Sequence, residues 1–337
     1  MLAFVVAALL GSSDPQSLPP TDRWTEPPQQ TAANAPAVRL EDIEVTGRPL
    51  DTLIRDFVNE VAAPNPDRGL ARWQGEVCIG VANLRAETAQ YLVDRVSTVA
   101  EDLGLRPGAP GCRPDVMIVA SDDPDNLAET LVRERPRAFR AGGSGMDRGG
   151  AALRAFQASD QPVRWWQVAM PVDADTGQRA TRLPGECRDP CETSMDYAPV
   201  INLRAASRLS TQIVNNLFRT VVILDVNQVD QVSAQQLADY VAMITFAQID
   251  PEADTSRYAS ILNVFGDPES ASTLTDWDRA YLIGLYDAQR TRASVRAGRS
   301  EIASSILREH QRLTANAPAD TTEDQTDAPL DPPTTRP

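Results

Sequence analysis

The sequence predicts an α+β fold: a mixed sheet with an N-terminal βαβ-like unit and a mainly helical C-terminal half. Three observations carry this. Apolar runs at 76–84 and 115–120 enclose a stretch, 86–104, in which Ala89, Leu92, Val93, Val96, Val99, Ala100 and Leu103 recur near helical spacing. Beyond residue 233 the apolar positions follow the helical period through three long segments. The chain has 337 residues and 42% apolar content, enough to bury a sizeable core across 39–313 as one α+β domain, with a possible subdivision near 140–160.

Taken in order, residues 1–13 form a signal-like apolar segment and 14–38 a Pro-rich linker too polar to order itself. A short strand is expected at 44–46, a helix at 50–62 and a strand at 76–84. The helix at 86–104 ends on Gly104, suited to a C-cap. A strand at 115–120 precedes a helix at 124–135 with Pro124 in its first turn. Residues 141–150 are Gly-rich and read as a flexible flap. A strand at 163–172 carries Trp165 and Trp166 on opposite faces, one indole in the core and the other a surface contact. Helix 205–217 and strand 221–226 follow. The helix at 233–248 opens on a capping box, Ser233 with Gln236. Thr275 and Asp276 suit the N-terminus of a helix at 275–288. A last helix at 297–313 leads into an acidic Pro/Thr-rich tail, 314–337, expected to be disordered.

Residues 2–10 are continuously apolar, and Gly11, Ser12 and Ser13 follow, the layout of a secretory h-region and cleavage zone. The run is too short to span a bilayer. Four cysteines fit an oxidising compartment, and the expected pairing is Cys78 with Cys112 and Cys187 with Cys191. Four cysteines still allow three connectivities. A bridge between Cys78 and Cys112 would join adjacent strands of the βαβ unit. Cys187 and Cys191 lack a second soft-ligand pair, so a loop staple is favoured over zinc. The chain is accordingly expected in the periplasm or secreted.

Composition removes several chemistries. His310 is the single histidine, so zinc hydrolases and histidine-assisted nucleophiles would have to converge on one peripheral side chain. All 32 basic residues are arginine, which excludes lysine Schiff bases. A net charge of −15 repels nucleic acid, which is not expected as a partner. The scattered arginines also allow a local basic groove, although no basic run longer than two residues points to one.

Isolated motifs read as structure. Asp175-Thr176-Gly177 has no second triplet to complete an aspartic dyad and is expected to be a turn. The segment 250–254 imitates a calcium loop, but Thr255 replaces the glycine and Ile261 the bidentate glutamate. Gly143-Ser144-Gly145 lacks the setting of a nucleophile elbow. No cofactor is expected.

One constellation spans about 50 residues: Leu237-Ala-Asp-Tyr-Val-Ala-Met-Ile-Thr-Phe-Ala-Gln-Ile-Asp-Pro251, then Ser260-Ile-Leu-Asn-Val-Phe265, then Leu274-Thr-Asp-Trp-Asp-Arg-Ala-Tyr-Leu-Ile-Gly-Leu-Tyr-Asp287. It resembles the C-terminal part of a family of exported bacterial proteins similar to zincin-type metallopeptidases. The resemblance implies a zincin-like scaffold. In zincins the corresponding helix presents two histidines and a glutamate. Here it offers Asp239, Tyr240 and Met243, with Asp250 in the loop beyond, which cannot replace three zinc ligands. Asp239 then reads as a helix-surface or second-layer carboxylate, Met243 and Phe246 as core, and Asp276, Asp278 and Asp287 as capping or solvating groups. The function expected is a catalytically inactive, exported domain binding or assembling at the cell envelope, with an envelope protein or polymer as partner. The rivals are a carboxylate-liganded metal-dependent hydrolase and a purely structural envelope protein. A hydrolase requires Asp239 in a cleft with a second carboxylate; a binder is expected to expose an aromatic patch near Trp165, Trp166 or Trp277.

Overall fold

Many of the expected helices and strands form in their expected places, and the exceptions lie around 136–157 and 205–217. The computed structural model describes residues 49–65, 69–140, 145–181, 201 and 207–316. The apolar N-terminus, the Pro-rich linker, the strand expected at 44–46, Cys187, Cys191, Ser144 and residues 317–337 lie outside the described residues. The elements are α1 (Leu50–Glu60), β1 (Glu76–Val77), β2 (Ile79–Ala82), α2 (Ala86–Asp102), β3 (Arg106–Pro107), β4 (Val116–Ser121), α3 (Pro124–Glu134), α4 (Pro136–Phe139), α5 (Gly149–Gln157), β5 (Val163–Asp173), β6 (Ile213–Asp225), α6 (Ala234–Phe246), α7 (Asp276–Asp287) and α8 (Val295–Asn316).

The main sheet has the order β2-β4-β6-β5. β2, β4 and β6 run parallel, and β5 pairs antiparallel with β6, which makes the sheet mixed. The fold is α+β, with β2-α2-β4 as its parallel crossover unit. The apolar stripe of α2 (Leu92, Val96, Val99, Ala100) is buried, and Gly104 follows at φ 74°, as a C-cap requires. Asp123 accepts a hydrogen bond from the Asn126 N–H, capping α3.

Cys78 interrupts the strand expected at 76–84, dividing it into β1 and β2, and is bonded to Cys112 with a Cα–Cα distance of 6.0 Å. Gly108 sits against this bridge. A Cβ there would lie 2.6 Å from the Cys112 sulfur, so only glycine fits without displacement.

Both faces of the sheet are covered. Trp165, Val222 and Leu224 pack with α2 and α6 in the larger core. Trp166, Val168, Val221 and Ile223, on the other face, pack with Phe139 and with Leu153 and Phe156 of α5. The indole expected at the surface is therefore buried: Trp166 donates its Nε1–H to the Phe139 carbonyl at 2.8 Å. Trp165 and Trp277 are buried too, so none of the three forms an exposed aromatic patch. The described end of the Gly-rich stretch is no flap either. Met146 is buried, its carbonyl accepts from the Ala169 N–H, and Gly149 starts α5.

The helix expected at 205–217 is corrected: Ile213 to Leu217 begin the long strand β6. A register shift explains the misreading. Val168 pairs with Arg219 and Ala169 with Leu217, leaving Phe218 as an extra bulged residue. The bulge breaks the two-residue alternation, so Ile213, Val214, Leu217 and Phe218 imitate helical spacing.

The C-terminal half packs helices around α6, which is buried from Ala238 to Phe246 and is apolar over this stretch except at Asp239 and Thr245. Helices α7 and α8 approach at Gly284, where a Cβ would stand 2.6 Å from the Ile306 Cα.

Candidate functional site

Asp239 projects from α6 into a closed polar pocket. Its side chain is wholly enclosed, at 0% exposure. Oδ1 accepts from Arg95 Nε of α2 at 2.6 Å. Oδ2 accepts from the Thr273 hydroxyl at 2.6 Å and the Leu274 N–H at 3.0 Å. Every donor comes from this chain, and the carboxylate faces no cleft. Asp239 is therefore no helix-surface group, and among the described residues no second carboxylate joins it.

The neighbouring candidates are packing groups. Met243 and Phe246 are fully buried. Tyr240 packs edge-on against Phe265 and Trp165, and burial pushes its phenol above the usual range. Asp250 lies beyond the helix, where Oδ1 accepts from Arg148 Nη2 at 2.8 Å and from the Glu252 N–H at 3.2 Å. Asp239 and Asp250 thus have separate arginine partners and do not converge. Among the described residues, no group of three His, Cys, Asp or Glu side chains could hold a metal ion.

The order of motifs that carried the resemblance has a structural cause. Asp278 is fully buried on α7 and completes a capping box with Thr275. It also accepts from the Ser260 hydroxyl at 2.6 Å and the Ile261 N–H at 2.8 Å. Burial raises its carboxyl pKa against the pull of these donors. Asn263 accepts from the Thr255 hydroxyl and donates to the Tyr258 carbonyl. These short motifs fasten the loop after α6 to the start of α7.

The Asp-Thr-Gly segment is the expected turn, organised by Asp173 rather than Asp175. Asp173 Oδ1 accepts from Asp175 N–H, Thr176 N–H and the Thr176 hydroxyl. The Asp250–Asp254 loop is likewise a turn, with Asp250 N–H donating to the Val61 carbonyl.

His310, expected at the periphery, is buried on α8 with its ring edge-on to Trp277 at 6.5 Å. Its Nε2 meets no partner among the described residues. Burial lowers its pKa, opposed by Asp276. Because the folded pKa lies below the unfolded value of about 6.5, the unfolded chain takes up the proton first, so stability falls as pH falls below that value. The urea midpoint of the wild type is expected to drop between pH 7.5 and 5.5, and that of His310→Gln to change much less. An equal drop in both would assign the effect to other groups.

Sequence reasoning missed the arginines that hold this architecture. Arg95 meets Asp239 from 144 positions away, with no local signal. Arg72 donates to the carbonyls of Leu285, Tyr286 and Ala288, satisfying the end of α7. Comparison with known protein families, with curated proteins and with solved structures finds no match to this chain.

Proposed function

We propose that the chain is an exported, catalytically silent domain of degenerate zincin-like type that acts by binding or assembly at the cell envelope. The observation that carries this is the enclosure of Asp239 by Arg95, Thr273 and Leu274, at the helix where a zincin would place its catalytic groups. Tyr240 and Met243 are committed to packing. The apolar N-terminal run and the Cys78–Cys112 bridge support export to an oxidising compartment. Among the described residues, no helix is long and apolar enough to cross a membrane.

Two measurements test the two halves. Elemental analysis of the purified, unchelated protein is expected to find no stoichiometric divalent metal; metal present in wild type and lost in Asp239→Asn would revive the hydrolase. Fractionation of cells expressing the full chain is expected to recover it outside the cytoplasm, and retention there would remove the envelope assignment.

A further inference from the structure

Charge is distributed unevenly over the described surface. One cavity of about 240 Å³ lies between residues 69–72, the start of β6, the end of α7 and the start of α8. It adjoins two others, sharing Arg299 with one and Arg72 and Arg290 with the other. Together the three are lined by Arg55, Arg72, Arg290, Arg292, Arg296 and Arg299, and by no Asp or Glu among the described residues. This occurs in a chain of net charge −15. A separate cavity beside Tyr240 shows the opposite character, lined by Asp254 and Asp267 without an arginine.

The arginines divide by partner. Arg55 pairs with Asp51 and Arg292 with Glu301. Arg72, Arg290, Arg296 and Arg299 form no ion pair among the described residues, and the charge of Asp287 favours the protonated Arg72 from a distance. Arg72 and Arg290 are held in place by backbone carbonyls, Arg290 by that of Asn215 and by Asn216 Oδ1. They form a fixed, partly buried floor. Burial and the neighbouring Arg72 charge push the Arg290 pKa down to about 10.

Two buried polar atoms in this lining meet no partner among the described residues: Arg299 Nε, a donor, and Asn215 Oδ1, an acceptor. Among the described residues, Arg299 otherwise donates only to Asn59 Oδ1, at 3.3 Å. Ser294, Val295 and Gly298 bring the N-terminal end of the 22-residue helix α8 to the same wall, adding the positive end of its dipole. Fixed guanidiniums, a helix N-terminus and an orphaned donor converge on one small volume.

We propose that this cleft binds a small multivalent anion of phosphate or carboxylate chemistry. The proposal names a ligand class for the binding function above and rests on that reading. Size follows from screening. At physiological ionic strength charges interact over about 8 Å, so a compact anion in the cleft experiences the arginines, whereas a long polyanion also meets the acidic remainder of the surface.

The test is calorimetric titration of the purified full chain with inorganic pyrophosphate and, separately, with citrate, at low and moderate salt. One-site binding that weakens as salt rises is expected, and the tighter probe assigns phosphate or carboxylate chemistry. The double variant Arg296→Ser/Arg299→Gln is expected to bind at least about tenfold more weakly, since each lost charge-assisted contact weakens the complex several-fold. Arg133→Gln on α3, which removes one positive charge far from the cleft along the sequence, is expected to bind as the wild type does. Circular dichroism checks that the variants fold. Absence of binding to both probes, a double variant equal to wild type, or equal weakening by Arg133→Gln would each overturn the site. Such a failure in a protein that is still metal-free and exported refutes the cleft alone; recovery in the cytoplasm, or a stoichiometric metal, refutes the broader reading.

Discussion

Asp239→Ala is expected to lower the folding free energy by about 3 kcal/mol, toward the lower end of the range for breaking a buried ion pair. The carboxylate is fully enclosed and satisfies three donors: Arg95 Nε, the Thr273 hydroxyl and the Leu274 N–H. Truncation leaves the Leu274 amide buried without an acceptor, which alone costs roughly 1–3 kcal/mol. Arg95 limits the loss, because its side chain is 23% exposed and can turn its charge toward water. Asp239→Asn keeps the shape and one acceptor oxygen, so a smaller loss of about 1–2 kcal/mol is expected. Urea unfolding checks both, with midpoints shifted and slopes unchanged. A structural carboxylate and a catalytic one predict different signs. Were Asp239 held for chemistry at the expense of stability, its replacement would leave the midpoint unchanged or raise it, and the silent-scaffold reading would fall.

What the sequence made legible was local. α6 and α7 begin where Ser233 and Gln236, and Thr275 and Asp278, form capping boxes, because the interacting groups are three residues apart. The α2 stripe and its terminal Gly104 are similarly self-contained. The failures were long-range. Phe218 bulges out of β6, so the pairing with β5, and not the local pattern, decides that Ile213 to Leu217 are strand. Trp166 is buried because α4 and α5 cover the second face of the sheet, and no feature of 163–172 announces them. Asp239 was open to a helix-surface or a second-layer reading from sequence, and Arg95 as its partner was invisible at 144 positions. The basic cleft draws on Arg55, Arg72 and four arginines between 290 and 299, none in a run, against a net charge of the opposite sign. Charge balance describes the whole surface, while a ligand responds to the few charges within a screening length.

Removal of the bridge in Cys78→Ser/Cys112→Ser is expected to cost about 2–4 kcal/mol, and reduction of the wild type a similar amount. The two cysteines are 34 positions apart, so the bond closes a loop of that length in the unfolded chain, with a ceiling near 4 kcal/mol on the chain-entropy account. The realised loss is smaller if the βαβ unit keeps its shape without the bond, and the backbone here supplies an independent fastening. Cys78 donates its N–H to the Asp115 carboxylate at 3.0 Å, and its carbonyl accepts from the N–H groups of Asp115 and Val116. The double serine variant is therefore expected to fold, with a lowered urea midpoint, and added reductant should lower the wild-type midpoint while leaving the variant unchanged. A wild-type midpoint indifferent to reductant would mean that these hydrogen bonds and the β2–β4 ladder hold the two strands without the bridge. The cysteine argument for an oxidising compartment would then lose its energetic basis, because a bridge that stabilises nothing gives the fold no reason to depend on where the chain matures.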